Sequence, residues 1–115
     1  MKIIDKENKI SITEIKQMAE NRFGDLVKAV VDIEKGSMVV DAELHADEEK
    51  FLLENDSKQE HLWGINLYPD DVEGDFIEFD SMINLRPSWG NKSRGVEDAK
   101  IQEEIIKLVN DLVEK

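Results

Sequence analysis

Gly90 and Gly95, in the stretch Arg86-Pro87-Ser88-Trp89-Gly90-Asn91-Lys92-Ser93-Arg94-Gly95-Val96-Glu97-Asp98, stand at the G-x-x-x-x-G spacing of a phosphate-cradling loop. That chemistry needs a lysine and then a serine or threonine directly after the second glycine, one to reach the phosphates and one to hold magnesium. Val96 and Glu97 occupy those places, so a nucleotide P-loop is excluded. No G-x-G-x-x-G dinucleotide fingerprint occurs either. What remains is an island of positive charge: Arg86, Lys92 and Arg94, with Trp89, Asn91 and Ser93 among them, just before a helix start where free N–H groups accept anions. These six are candidate binding residues for a small anionic ligand or a protein partner. The competing reading is structural. Glu97 and Asp98 cap that helix themselves, Arg94 pairs with nearby acids, Asn91 and Ser93 make turn hydrogen bonds, and Trp89 covers the edge of the core.

A second set is acidic. Asp41, Glu43 and His45 alternate as they would on one face of a strand, and Asn66, Asp80 and Asn84 fall on the same face of neighbouring strands. Alternate strand residues stand about 7 Å apart, too far for three of them to meet one ion. Asp47, Glu48 and Glu49 are explained by a helix's first turn. No metal and no cofactor is therefore expected. His-Ala-Asp-Glu-Glu lacks the second histidine of the zinc-protease pattern, and no G-x-S-x-G elbow is present. Catalysis survives only as the alternative of a small hydrolase, with Arg86 and Arg94 holding an anionic substrate and Asp80 or His45 as the base.

The elements that would carry these residues are readable from periodicity. Ser11-Ile12-Thr13-Glu14 matches a capping box and opens a helix from Ile12 to Arg22, which Gly24 ends. Residues 26–33 and 38–44 alternate as a hairpin around Glu34-Lys35-Gly36-Ser37, and Asp47 caps a short helix to Glu54. Residues 62–68 and 76–85 read as a second hairpin, and Ile101, Ile105, Leu108, Val109 and Leu112 stripe a last helix from Asp98 to Val113. The order αββαββα predicts an α+β fold: a single domain over residues 1–115, with one four-stranded antiparallel sheet from two hairpins and helices packed on one face. The other face is then open and polar, and a homodimer through it is one way to cover it.

Bulk composition narrows the function. The chain of 115 residues carries 15 Lys and Arg against 27 Asp and Glu, a net charge of −12, and no cysteine. Phosphate backbones and anionic membranes select basic surfaces, so neither nucleic acid nor a membrane is an expected partner. Without cysteine there are no disulfides or thiolate sites. The N-terminus is no signal peptide, no run is long enough to span a membrane, and a cytoplasmic location is expected.

The segments VKAVVDIEKG, VDAELHADEE, LWGINLYP, FDSMINLRP and GNKSRGVED together resemble a small prokaryotic family known only as a domain of unknown function. The resemblance runs from Ile12 to the last helix and implies a stand-alone single domain. It brings no catalytic residues. The reading is a non-enzymatic cytoplasmic binding or interaction module that uses the open sheet face and the 86–95 loop. The hydrolase and an acidic, antitoxin-like protein partner are the alternatives.

Overall fold

A computed structural model describes residues 1–115. Strands β1 (Lys2–Ile4) and β2 (Ile10–Ser11) precede helix α1 (Ile12–Arg22), and β3 (Val27–Asp32) and β4 (Ser37–Val40) form the first hairpin. Then come α2 (His45–Glu54), β5 (Leu62–Leu67), β6 (Ile77–Glu78), α3 (Ala99–Leu112) and β7 (Val113–Glu114). One five-stranded antiparallel sheet has the order β1-β4-β3-β5-β6, and β2 and β7 make a small parallel pair. No helix is long and apolar enough to cross a membrane.

The α+β class and the three helices agree with the sequence reading. The sheet has five strands rather than four, because Lys2–Ile4 pairs with β4 along its outer edge. The second hairpin is mostly absent: β6 meets β5 only at Asn66 and Leu67. The chain turns away where Ser81 caps a short 3-10 turn over Met82–Asn84, its hydroxyl accepting from the Ile83 N–H. Serine offers the backbone such a local alternative to a ladder bond. The first hairpin also ends early. Asp41 adopts φ 70°, and α2 begins at His45, so that Asp47 lies within its first turn rather than capping it.

Helices cover both faces of the sheet, not one. Ile15 and Ala19 of α1 and Ile105, Val109 and Leu112 of α3 share a core with Ala29, Val31, Met38, Val40, Ile65 and Leu67. On the opposite face Leu52 of α2 packs with Val30, Val39 and Leu62, flanked by Phe51 and Ile83. The physical reason is in β3 and β4 themselves. Ala29-Val30-Val31 and Met38-Val39-Val40 are continuous apolar runs, which suit a strand buried on both sides rather than one side wet. Each such side chain fully buried contributes about 1.5–3 kcal/mol. The polar face expected to be open is thereby covered, and Asp32, His45, Asn66 and Asn84 are buried.

Candidate site: a tryptophan-lined cleft at the unpaired edge of the sheet

Strand β5 has an edge without a strand beside it, from Leu62 to Gly64, because β6 does not reach that far. Side chains complete it. The Asn84 carboxamide accepts from the Gly64 N–H at 2.8 Å and donates to the Gly64 carbonyl at 2.9 Å. The Arg86 guanidinium donates to the Leu62 carbonyl through Nη2 and to the Ile83 carbonyl through Nε at 3.0 Å. Gly64 permits this close approach: a Cβ there would lie 2.5 Å from Ser81 Cβ.

The chain then closes on itself. Arg86 and Asn91 exchange backbone hydrogen bonds at 2.8 and 3.2 Å across the Pro87–Trp89 turn, which ends at Gly90 with φ 88°. Only glycine adopts that conformation without strain. The Asn91 side chain binds the carbonyls of Asn84 and Gly95 at 2.7 and 2.8 Å, and its oxygen accepts from the Glu97 N–H at 3.0 Å. The loop is therefore ordered from both ends. It holds Trp89 over Arg86, whose Cζ lies 4.8 Å from the centre of the Trp63 ring and 5.5 Å from that of Trp89.

Arg86 is thus a buried cation between two indoles, an arrangement that suits a planar, weakly hydrated guanidinium. Burial lowers its pKa from the ordinary value and the Glu49 carboxylate, 3.8 Å from Nη2, opposes that. Nη1 has no hydrogen-bond partner, and neither does Trp63 Nε1. Beside this stack opens a cleft of about 370 Å³ whose floor and walls are Trp63, Arg86, Trp89, Gly90, Asn91 and Ile101, with Glu60, Glu97 and Asp98 around them.

A family model described as a protein of unknown function, DUF5674, matches residues 2–112, taking in every element from β1 to α3. The chain belongs to the DUF5674 family. No curated protein and no solved structure matches it.

In this DUF5674 chain the candidate residues do not form one surface. Arg86, Trp89 and Asn91 line the cleft; Lys92, Ser93 and Arg94 do not. The Lys92 N–H donates to Glu97, and Ser93 Oγ accepts from the Gly95 N–H. Arg94 pairs with Asp80 at 2.7 Å on the surface. Asp41 and Glu43 lie with Arg22, at 3.2 and 3.8 Å. His45 is buried and donates through Nε2 to the Ile65 carbonyl at 2.8 Å; burial lowers its pKa and favours the neutral ring. Asn66 donates to Glu78 at 2.8 Å and to the Asp80 carbonyl at 3.2 Å. Asn84 serves the sheet edge. No group of three or more His, Asp or Glu side chains comes together to hold a metal.

The cleft residues that sequence reasoning missed in the DUF5674 chain are Glu60, Trp63, Gly90 and Ile101, with Glu97 and Asp98, which read only as helix caps. Trp63 read as an ordinary strand residue, and its one distinguishing signal was rarity: the chain has two tryptophans, and both meet at Arg86.

Proposed function

We propose that the chain is a non-enzymatic, cytoplasmic ligand-binding module whose site is the cleft at Trp63, Arg86 and Trp89. The observation that carries this reading is the Arg86 stack. A buried guanidinium keeps one N–H free beside a cleft with an exposed indole on its wall, and such a convergence of aromatic surface and a few polar groups is the usual make-up of a small-molecule site. Neither Asp80 nor His45, the bases of the hydrolase alternative, lines the cleft, which favours binding over that alternative. Glu97 and Asp98 each already accept a backbone N–H, from Lys92 and Lys100. Coverage of both sheet faces also favours a compact ligand over a broad sheet-mediated partner contact.

A thermal-shift screen with phosphates, nucleotides, carboxylates, amines, amino acids, divalent cations and a basic peptide tests the reading, run on wild type and Trp89→Ala. A ligand at many times its dissociation constant raises the midpoint of a domain this size by several degrees. The expected result is at least one stabilising compound whose effect is lost in Trp89→Ala. A panel without effect, or a hit indifferent to Trp89→Ala, overturns it.

A further inference from the structure

We infer that the cleft takes an α-amino acid with an apolar side chain, its carboxylate toward Trp63 and Arg86 and its ammonium at the acidic rim; this rests on the reading above that the cleft is a binding site. The floor presents only donors. Trp63 is 6 % exposed and Arg86 8 %, both line the cleft, and each carries a buried N–H without a partner, Nε1 and Nη1. Neither an indole nor a guanidinium can accept, so the ligand must bring acceptor oxygens. A carboxylate brings two, with the charge that matches Arg86. Glu49, whose Oε2 is also buried without a hydrogen-bond partner, forms an ion pair with Nη2 at 3.8 Å and offsets part of the guanidinium charge, but it leaves Nη1 unserved.

The rim has the opposite character. Glu60, Glu97 and Asp98 stand around the cleft, and Arg86 is the one Lys or Arg that lines it. The His61 ring lies 3.6 Å from Glu60 and also contacts Glu34. A bare anion would meet three carboxylates, and a bare cation would meet Arg86. A zwitterion satisfies both ends in one orientation, which is how charge complementarity produces selectivity. Ile101 and the Trp89 indole, 56 % exposed, supply apolar walls for a side chain. At about 370 Å³ the space is at the small end of ligand pockets, the scale of one metabolite. Both unpaired N–H groups are sealed from solvent, and Trp89 lies over the guanidinium, so a carboxylate that reaches Nη1 requires the indole to shift outward along the side chain it packs against.

The protein carries its own probe, since its two tryptophans both line the cleft. Intrinsic fluorescence is titrated with L-leucine, L-methionine and L-phenylalanine, and with isocaproate and isoamylamine, which are leucine without its ammonium and without its carboxylate. The expected result is a saturable change in emission with at least one amino acid, and binding about tenfold or more weaker for each single-charge analogue. Glu60→Gln combined with Glu97→Gln keeps acceptor oxygens and an unchanged thermal midpoint, and it is expected to weaken amino-acid binding by about tenfold without weakening isocaproate. Equal binding of either analogue, an unaffected double variant, or no response to any of the amino acids overturns the inference. If phosphate or the basic peptide changes the emission while amino acids do not, the ligand class falls and the cleft remains a binding site. If nothing changes it, both fall.

Discussion

The Asn84 carboxamide bonds both backbone groups of Gly64, accepting its N–H at 2.8 Å and donating to its carbonyl at 2.9 Å, so that one side chain does for β5 what a sixth strand would do. The same carboxamide nitrogen donates to the Arg94 carbonyl at 2.9 Å, and the Asn84 carbonyl accepts from Asn91 at 2.7 Å. The edge of the sheet, the capped turn at Ser81 and the loop that carries Trp89 therefore share one buried hydrogen-bond network.

Asn84→Leu keeps the volume and removes the amide. It leaves the Gly64 N–H and carbonyl without partners, each costing about 1–3 kcal/mol when buried, while the Arg94 carbonyl keeps the Ser81 N–H at 2.9 Å, so the variant is expected to lose roughly 4 kcal/mol. Urea denaturation measures this. A loss below about 1 kcal/mol would show that water replaces the amide without penalty.

Gly64→Ala places a methyl 2.5 Å from Ser81 Cβ and Oγ and 3.1 Å from Ile83 Cγ1. Overpacking of this kind costs about 1–3 kcal/mol. Adding Ser81→Gly removes the clashing atoms, so the double variant is expected to be more stable than the sum of the two single losses predicts. Strict additivity in a double-mutant cycle would disprove the contact.

Glu48 is fully buried on α2, and burial pushes its carboxyl up to about 10 against the opposing Ala42 N–H and Lys28. Its folded pKa is above the unfolded one, so between about 4.5 and about 10 the folded state holds the extra proton and stability falls as pH rises. Glu48→Gln keeps an acceptor for the Ala42 N–H, which Glu48 binds at 3.2 Å. The variant is expected to match wild type near pH 4 and to exceed it by a few kcal/mol at pH 8, in denaturation series across pH. A difference that does not change with pH refutes the buried proton.

His45 acts with the opposite sign. Burial lowers its pKa, so its stabilising contribution is present above the unfolded value of 6.5 and is lost as pH falls through 6.5 toward its lower folded pKa. His45→Gln is expected to flatten the acid side of the wild-type stability curve and leave its slope above pH 7 unchanged.

Arg94 pairs with Asp80 at the surface, where an ion pair contributes less than about 1 kcal/mol. Arg94→Ala is expected to leave both stability and the ligand response of the tryptophans nearly as in wild type. Loss of that response would move the site from the Trp63–Trp89 cleft to the 92–94 segment.

Much of this molecule was legible residue by residue. Ser11 accepts from the Glu14 N–H at 3.1 Å, and α1 ends at Arg22 as the capping box and Gly24 indicate. The stripe of Ile105, Val109 and Leu112 is buried as its spacing implies. The misreadings share a cause. Residues 76–85 alternate like a strand, yet Ser81 and Asn84 take their hydrogen bonds from a turn and from Gly64. Asp41, Glu43 and His45 alternate too, yet φ 70° at Asp41 separates them, leaving Asp41 with Arg22 and His45 in the interior.

The sequence by itself determined the acidic charge, the absence of thiol chemistry, the three helices and the central hairpin, because caps, turns and amphipathic periods depend on neighbours within a few residues. Only the tertiary structure decided that both sheet faces are covered and that Asn84 and Arg86 close the unpaired half of β5. It also decided that Trp63 and Trp89 meet around one guanidinium. Those outcomes depend on which distant surfaces exclude water together, and a buried polar group then takes whichever partner the packing brings within reach.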